Sequence, residues 1–117
     1  MNNYIKTRPD NPTYEQIGAK GYKYDLENKE LGMYYVNCLK GHDYYGIEKH
    51  SNKIYYILEG NGKFSLNDEI FDIKQGDLIE ININTKYTYA GNMKMLMVMQ
   101  PDFMIDTHEN LEKNDLT

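Results

Sequence analysis

The sequence predicts an all-β, single-domain protein, and three observations carry that prediction. Its apolar and aromatic residues come in short runs, several with period two, as in Phe64/Leu66 and Ile79/Ile81/Ile83. The runs are separated by Gly, Asn, Asp and Lys clusters, and no alternation of strands with long helical patterns suggests a parallel sheet. The length, 117 residues, suits one core.

Taken in order, residues 1–19 read as an N-terminal arm. The single helical pattern in it is Asn11–Ile17, with Pro12 near its start and Gly18 after its end. Residues 20–105 read as the barrel, with extended segments at Gly21–Leu26, Met33–Leu39, Tyr44–His50, Ile54–Glu59, Gly62–Leu66, Glu69–Ile73, Asp77–Ile81, Lys86–Ala90 and Met93–Gln100. Each is rich in Tyr, Ile, Val, Met or Phe, which fit a pleated, half-buried surface. Glu59-Gly60-Asn61-Gly62, Asn67-Asp68, Gln75-Gly76-Asp77 and Gly91-Asn92 read as turns. Met93–Gln100 is apolar on both faces and is expected to be a buried strand. Residues 106–117 are charged and polar and read as a tail or a short terminal helix. So many short strands leave a sandwich, a barrel or a jelly roll, and closure removes exposed edges.

Composition narrows function. The chain has 13 basic and 18 acidic residues, a net charge of −5, and Arg8 as its one arginine. Nucleic-acid binders carry a basic stripe, and anionic membranes attract basic segments, so neither partner is expected. No apolar run approaches the length of a membrane span, and the N-terminus lacks the apolar stretch of a signal peptide. With a lone Cys38, a reducing cytoplasm is the expected setting. Twelve Tyr against three Phe and no Trp is the compositional oddity. A phenol has an apolar body and a polar tip, suited to wet pockets and interfaces.

One stretch is more specific. Tyr55-Tyr56-Ile57-Leu58-Glu59-Gly60-Asn61-Gly62, followed by Gly76-Asp77-Leu78-Ile79-Glu80-Ile81, resembles the two motifs of the small single-domain cupins. The resemblance implies a cupin-type jelly-roll β-barrel with a small ligand inside, and a homodimer. In metal-bearing cupins the first motif supplies His-x-His and then a Glu, and the second motif supplies a further His. Here those places read Glu48-Lys49-His50, Lys53 and Tyr87, and the second motif's Pro and Gly are Asn82 and Asn84. One ligand residue, His50, survives in place.

Alternation names the expected lining. If His50 points inward, so does Glu48; on the next strand Lys53 and Tyr55 share parity, and on the second-motif strand Tyr87 and Tyr89 do. The candidate ligand-binding residues are therefore Glu48, His50, Lys53, Tyr55, Tyr87 and Tyr89, a set typical of a concave site with few convergent polar groups. Glu48 and His50 could hold a divalent metal, since imidazole plus carboxylate suits Fe, Mn, Zn or Ni. Lys53 opposes that, because an ammonium about 4 Å from a cation costs ~1–4 kcal/mol. A Glu48–Lys53 pair with His50 bonded to a tyrosine is the alternative arrangement. Lys53 as a base or Schiff-base nucleophile, and His50 as a general base, are the catalytic alternatives. His42, in Lys40-Gly41-His42-Asp43, reads as a surface loop residue, and His108 as a solvated one. Met93, Met95, Met97 and Met99 read as adaptable core rather than a copper(I) ladder.

Three functions follow. The first is binding of a small polar organic ligand, sugar-like in character, with no cofactor needed. The second is a metal-dependent isomerase or dioxygenase using Glu48 and His50. The third is a non-catalytic sensing or interaction module.

Overall fold

The computed structural model describes residues 4–102 and 108–117. Among the described residues, nine strands form one curled antiparallel sheet: β1 (Tyr14–Glu15), β2 (Ala19–Lys23), β3 (Gly32–Cys38), β4 (Tyr44–Glu48), β5 (Asn52–Leu66), β6 (Glu69–Lys74), β7 (Leu78–Ile81), β8 (Tyr87–Gln100) and β9 (His108–Lys113). The path β1-β2-β3-β8-β4-β9 forms one run of neighbours, and β5 joins it by pairing β8 as well as β6 and β7. The described residues include no helix long and apolar enough to cross a membrane.

β8 holds the barrel together. Its first part pairs β4 at Gly46↔Tyr87, and its second part pairs β3 from Met93 to Met99. Along nearly its whole length it also pairs β5. The sequence reading split both β5 and β8 at glycine-containing turns. In the structure each runs on as one bent strand. Gly91 explains the difference: its φ of 136° and a backbone contact that leaves no room for a Cβ (2.6 Å to the Asn61 carbonyl oxygen) let β8 bend against β5 instead of reversing. Reversal occurs at Asn67-Asp68, where both φ angles are positive (49° and 69°), as a two-residue hairpin requires.

Alternation then fills the interior. Lys53, Tyr55 and Ile57 of β5 are buried while Ile54, Tyr56 and Leu58 face outward. Met93, Met95, Met97 and Met99 are all buried and belong to the core with Tyr34, Val36, Cys38, Ile79 and Ile81. Tyr55, Phe64 and Tyr89 stack at one end, with ring centroids 5.1–5.5 Å apart.

Both chain ends differ from expectation. Asn11–Ile17 forms no helix. Tyr14 instead lays its ring over Gly21, where a Cβ would lie 2.0 Å from it, and the backbone pairs with β2. The segment read as a polar tail contributes β9, which covers the otherwise open edge of β4.

Candidate functional site

A cavity of about 420 Å³ opens inside the barrel. Tyr55 and Lys53 reach it from β5, Tyr87 from β8, Glu48 from β4, and Met97 and Met99 supply apolar surface. Tyr14 and Gln16 close one side, and His108 and Asn110 of β9 close another. Its size lies within the range of ~300–1,000 Å³ usual for small-molecule sites.

Of the six residues expected from sequence, Glu48, Lys53, Tyr55 and Tyr87 line this cavity. Tyr89 is fully buried beside it, its ring 5.5 Å from that of Tyr55. His50 does not join them. β4 ends at Glu48, Lys49 and His50 form an exposed bend, and alternation no longer applies there. The expected Glu48–His50 metal pair is therefore not assembled.

Charge concentrates on Glu48. Its Oε1 lies 3.1 Å from Lys53 Nζ and 2.6 Å from His108 Nδ1, with all three side chains largely buried. Burial raises the Glu48 pKa, but the hydrogen bond from His108 and the charge of Lys53 outweigh it and leave the carboxyl below its ordinary range. His108 also has Asn110 Oδ1 2.8 Å from its Nε2. An oxygen acceptor at each nitrogen suits the doubly protonated ring. The bond to Glu48 raises the His108 pKa against an opposing effect of burial. Lys53 also donates to the Tyr87 hydroxyl. Burial, above all, pushes the phenols of Tyr55, Tyr87 and Tyr89 up, so they stand as neutral hydroxyls. Among the described residues, Glu48 Oε2 and the Tyr89 hydroxyl are buried with no hydrogen-bond partner.

His42, read as a surface loop residue, is 7% exposed and lines the same cavity. Its Nδ1 lies 2.6 Å from the Tyr44 carbonyl oxygen and its Nε2 3.1 Å from Gln16 Nε2. Burial, helped by the positive charges of Lys53 and His108, lowers its pKa to about 4, so the ring is a neutral imidazole near pH 7. The cavity thus holds two histidines whose pKa values are displaced in opposite directions, downward for His42 by burial and upward for His108 by Glu48.

The Lys53 ammonium lies 3.1 Å from Glu48 Oε1, where it would repel a divalent cation, and both nitrogens of His108 face oxygen atoms. No group of three or more His, Cys, Asp or Glu among the described residues has a metal-binding arrangement.

Sequence reasoning missed His42, His108, Gln16 and Asn110. Parity with Glu48 was the one available signal for His42. For His108 the partner is Glu48, 60 residues away, and nothing local reports it.

A family model described as the AraC-like ligand binding domain matches residues 37–93. An uncharacterized protein of Methanocaldococcus jannaschii, MJ1618, is 40% identical over 72 residues, covering 56% of this chain and 58% of that protein. The chain therefore matches less than two thirds of that relative's length. Streptomyces PAC13, solved with uridine in variants that replace a tyrosine or a histidine, superposes with a TM-score of 0.87–0.88 at 23–24% identity, over 96–97% of this chain and 93% of that one. PAC13 is described as a nucleoside dehydratase. The cupin domain of Schizosaccharomyces pombe Cnp3 superposes with a TM-score of 0.63 at 16% identity, over 72% of this chain and 65% of that one. The fold is a cupin-type jelly-roll β-barrel.

Proposed function

We propose that this cupin barrel binds a small polar organic molecule built on a hydroxylated ring, of nucleoside or sugar type, and acts on it by proton transfer without a tightly held metal. The observation that carries the reading is the pairing of opposite proton roles in one cavity. His42 is a buried neutral imidazole, able to accept a proton. Glu48 is paired with the Lys53 ammonium and with His108, whose affinity for a proton that contact raises, and Lys53 holds the Tyr87 hydroxyl. Such a cluster favours negative charge developing on a ligand oxygen. Neutral phenols and methionines supply faces on which a ring can rest. The uridine held by PAC13, in a barrel of the same shape, supports a nucleoside-type ligand.

Calorimetry on chelator-treated protein, with uridine, other nucleosides and monosaccharides as titrants, tests this. Saturable binding of one class is expected, weakened at least tenfold by Tyr55→Phe or His42→Asn. Binding only after a divalent metal is restored, or no binding of either class, overturns it.

The family model favours a second reading, a ligand-sensing domain without turnover. Binding with no conversion of the bound ligand over hours would select it. A cytoplasmic setting and a homodimer complete the proposal. The outward Ile54, Tyr56, Leu58 and Leu78 are 37–58% exposed on neighbouring strands and offer a second copy an apolar face. A monomer in sedimentation at micromolar concentration would refute the dimer.

A further inference from the structure

Which nitrogen of His42 is free to take a proton depends on a residue outside its own loop. Gln16 follows β1 in a turn closed by its own N–H, which donates to the Ala19 carbonyl at 2.8 Å. Its side-chain Oε1 accepts the backbone N–H of Asp43 at 3.0 Å. The Asp43 carboxylate in turn accepts the backbone N–H groups of Ile17 and Gly18, at 3.1 and 3.3 Å. The two segments are thus clasped from both sides, and the Gln16 amide cannot turn over without losing a bond.

With its oxygen so engaged, Gln16 presents its NH2 group to His42 Nε2 at 3.1 Å. An amide NH2 only donates. His42 Nε2 must therefore be the accepting, unprotonated nitrogen. The ring proton then sits on Nδ1, which donates to the Tyr44 carbonyl at 2.6 Å. The opposite tautomer would let Nδ1 accept the Tyr44 N–H at 3.2 Å, but it would set N–H against N–H at Gln16. Both ends of the ring agree on one form.

We propose that Gln16 is a positioning residue that fixes His42 as the Nδ1–H tautomer and so makes Nε2 the basic atom of the cavity. This rests on the reading of His42 as the proton acceptor above. Other groups act on the same ring. Lys53 of β5 and His108 of β9 oppose its protonation and Asp43 favours it, while Tyr87 and Tyr89 of β8 lie with ring centroids 6.0 and 5.6 Å away. None of these donates to Nε2 among the described contacts, so Gln16 is the group that acts on the tautomer at that nitrogen, beside the Tyr44 carbonyl at Nδ1.

Nitrogen-15 NMR of the ligand-free full chain, with the His42 signals assigned by comparison with His42→Asn, reads the tautomer directly. Wild type is expected to show Nδ1 protonated and Nε2 bare. Gln16→Glu offers only acceptors, so it should draw the proton to Nε2 and move the titration of His42 to higher pH. Gln16→Met removes the donor and should give a mixture of tautomers. A protonated Nε2 in wild type, or a wild-type signature in either variant, overturns the proposal. Should Gln16→Glu fail to fold, wild type and Gln16→Met decide it. Uridine binding is measured separately. A fixed Nδ1–H tautomer in a protein that binds no nucleoside or sugar would sink the proposed function and leave the role of Gln16 standing.

Discussion

Glu48 and Lys53 meet at 3.1 Å inside the barrel, their side chains 3% and 5% exposed. Burying two charges is costly, and a buried pair is favourable only where geometry and further hydrogen bonds compensate. Here His108 meets the carboxylate at Oε1 and Tyr87 meets the ammonium, while Glu48 Oε2 is buried with no partner among the described residues. The pair is therefore better understood as a constraint on the cavity than as a source of stability.

That view predicts unequal effects of single and double substitutions. Lys53→Met leaves Glu48 charged and buried with His108 as its remaining ionic partner, and should cost ~3–5 kcal/mol. Glu48→Leu combined with Lys53→Met removes both charges and should recover more than half of that loss. Urea denaturation of the three proteins checks it. Equal losses in the single and double variants would show that the site cannot tolerate apolar filling.

The histidines should give stability opposite slopes with pH. The His108 pKa is raised above 6.5, chiefly by Glu48, so its contribution is complete below about 6.5 and is lost as pH rises through its folded value. The His42 pKa is lowered to about 4, chiefly by burial, so its contribution is complete above about 6.5 and erodes as pH falls toward 4. Glu48, held below its usual 4.5 once its partners outweigh burial, adds a further loss at the acid end as pH falls through its folded value. Stability is expected to peak near pH 6.5. His108→Gln should flatten the alkaline limb and His42→Asn the acid one, read from urea midpoints across the range. A profile unchanged in both variants would remove these residues as its cause.

How much of this was legible in the sequence depends on how local the cause is. Lys53, Tyr55 and Ile57 point inward because alternation is a property of a strand alone, and it could be read from the run itself. The bends in β5 and β8 were read as reversals because a glycine with positive φ serves both, and only the facing strand decides which. His50 falls outside the cavity because the bend at Lys49 and His50 ends the alternation. The placement of His42, Gln16 and His108 rests on contacts 26 to 60 residues apart along the chain, where short-range patterns carry no information. The barrel was thus readable and half of its cavity was not.

Gly18 offers a test of how the N-terminal turn serves that cavity. Its carbonyl accepts the backbone N–H groups of Leu39, Lys40 and Gly41 at 2.9, 2.9 and 3.2 Å. A Cβ at Gly18 would lie 2.3 Å from the Gly41 oxygen and 2.8 Å from its nitrogen, so the two segments touch backbone to backbone. Gly18→Ala must push them apart and should cost ~1–3 kcal/mol. The same movement draws Gln16 from His42, so ligand affinity should fall even where the protein is fully folded. Gly76→Ala is the control. Its φ of 93° strains any side chain, by ~1–2 kcal/mol, yet no atom lies within 4 Å of the added Cβ and the turn is remote from the cavity lining. Thermal denaturation should therefore show both variants weakened, while calorimetry shows weaker binding only in Gly18→Ala. Equal binding in the two would mean that the docking of this turn does not reach the site.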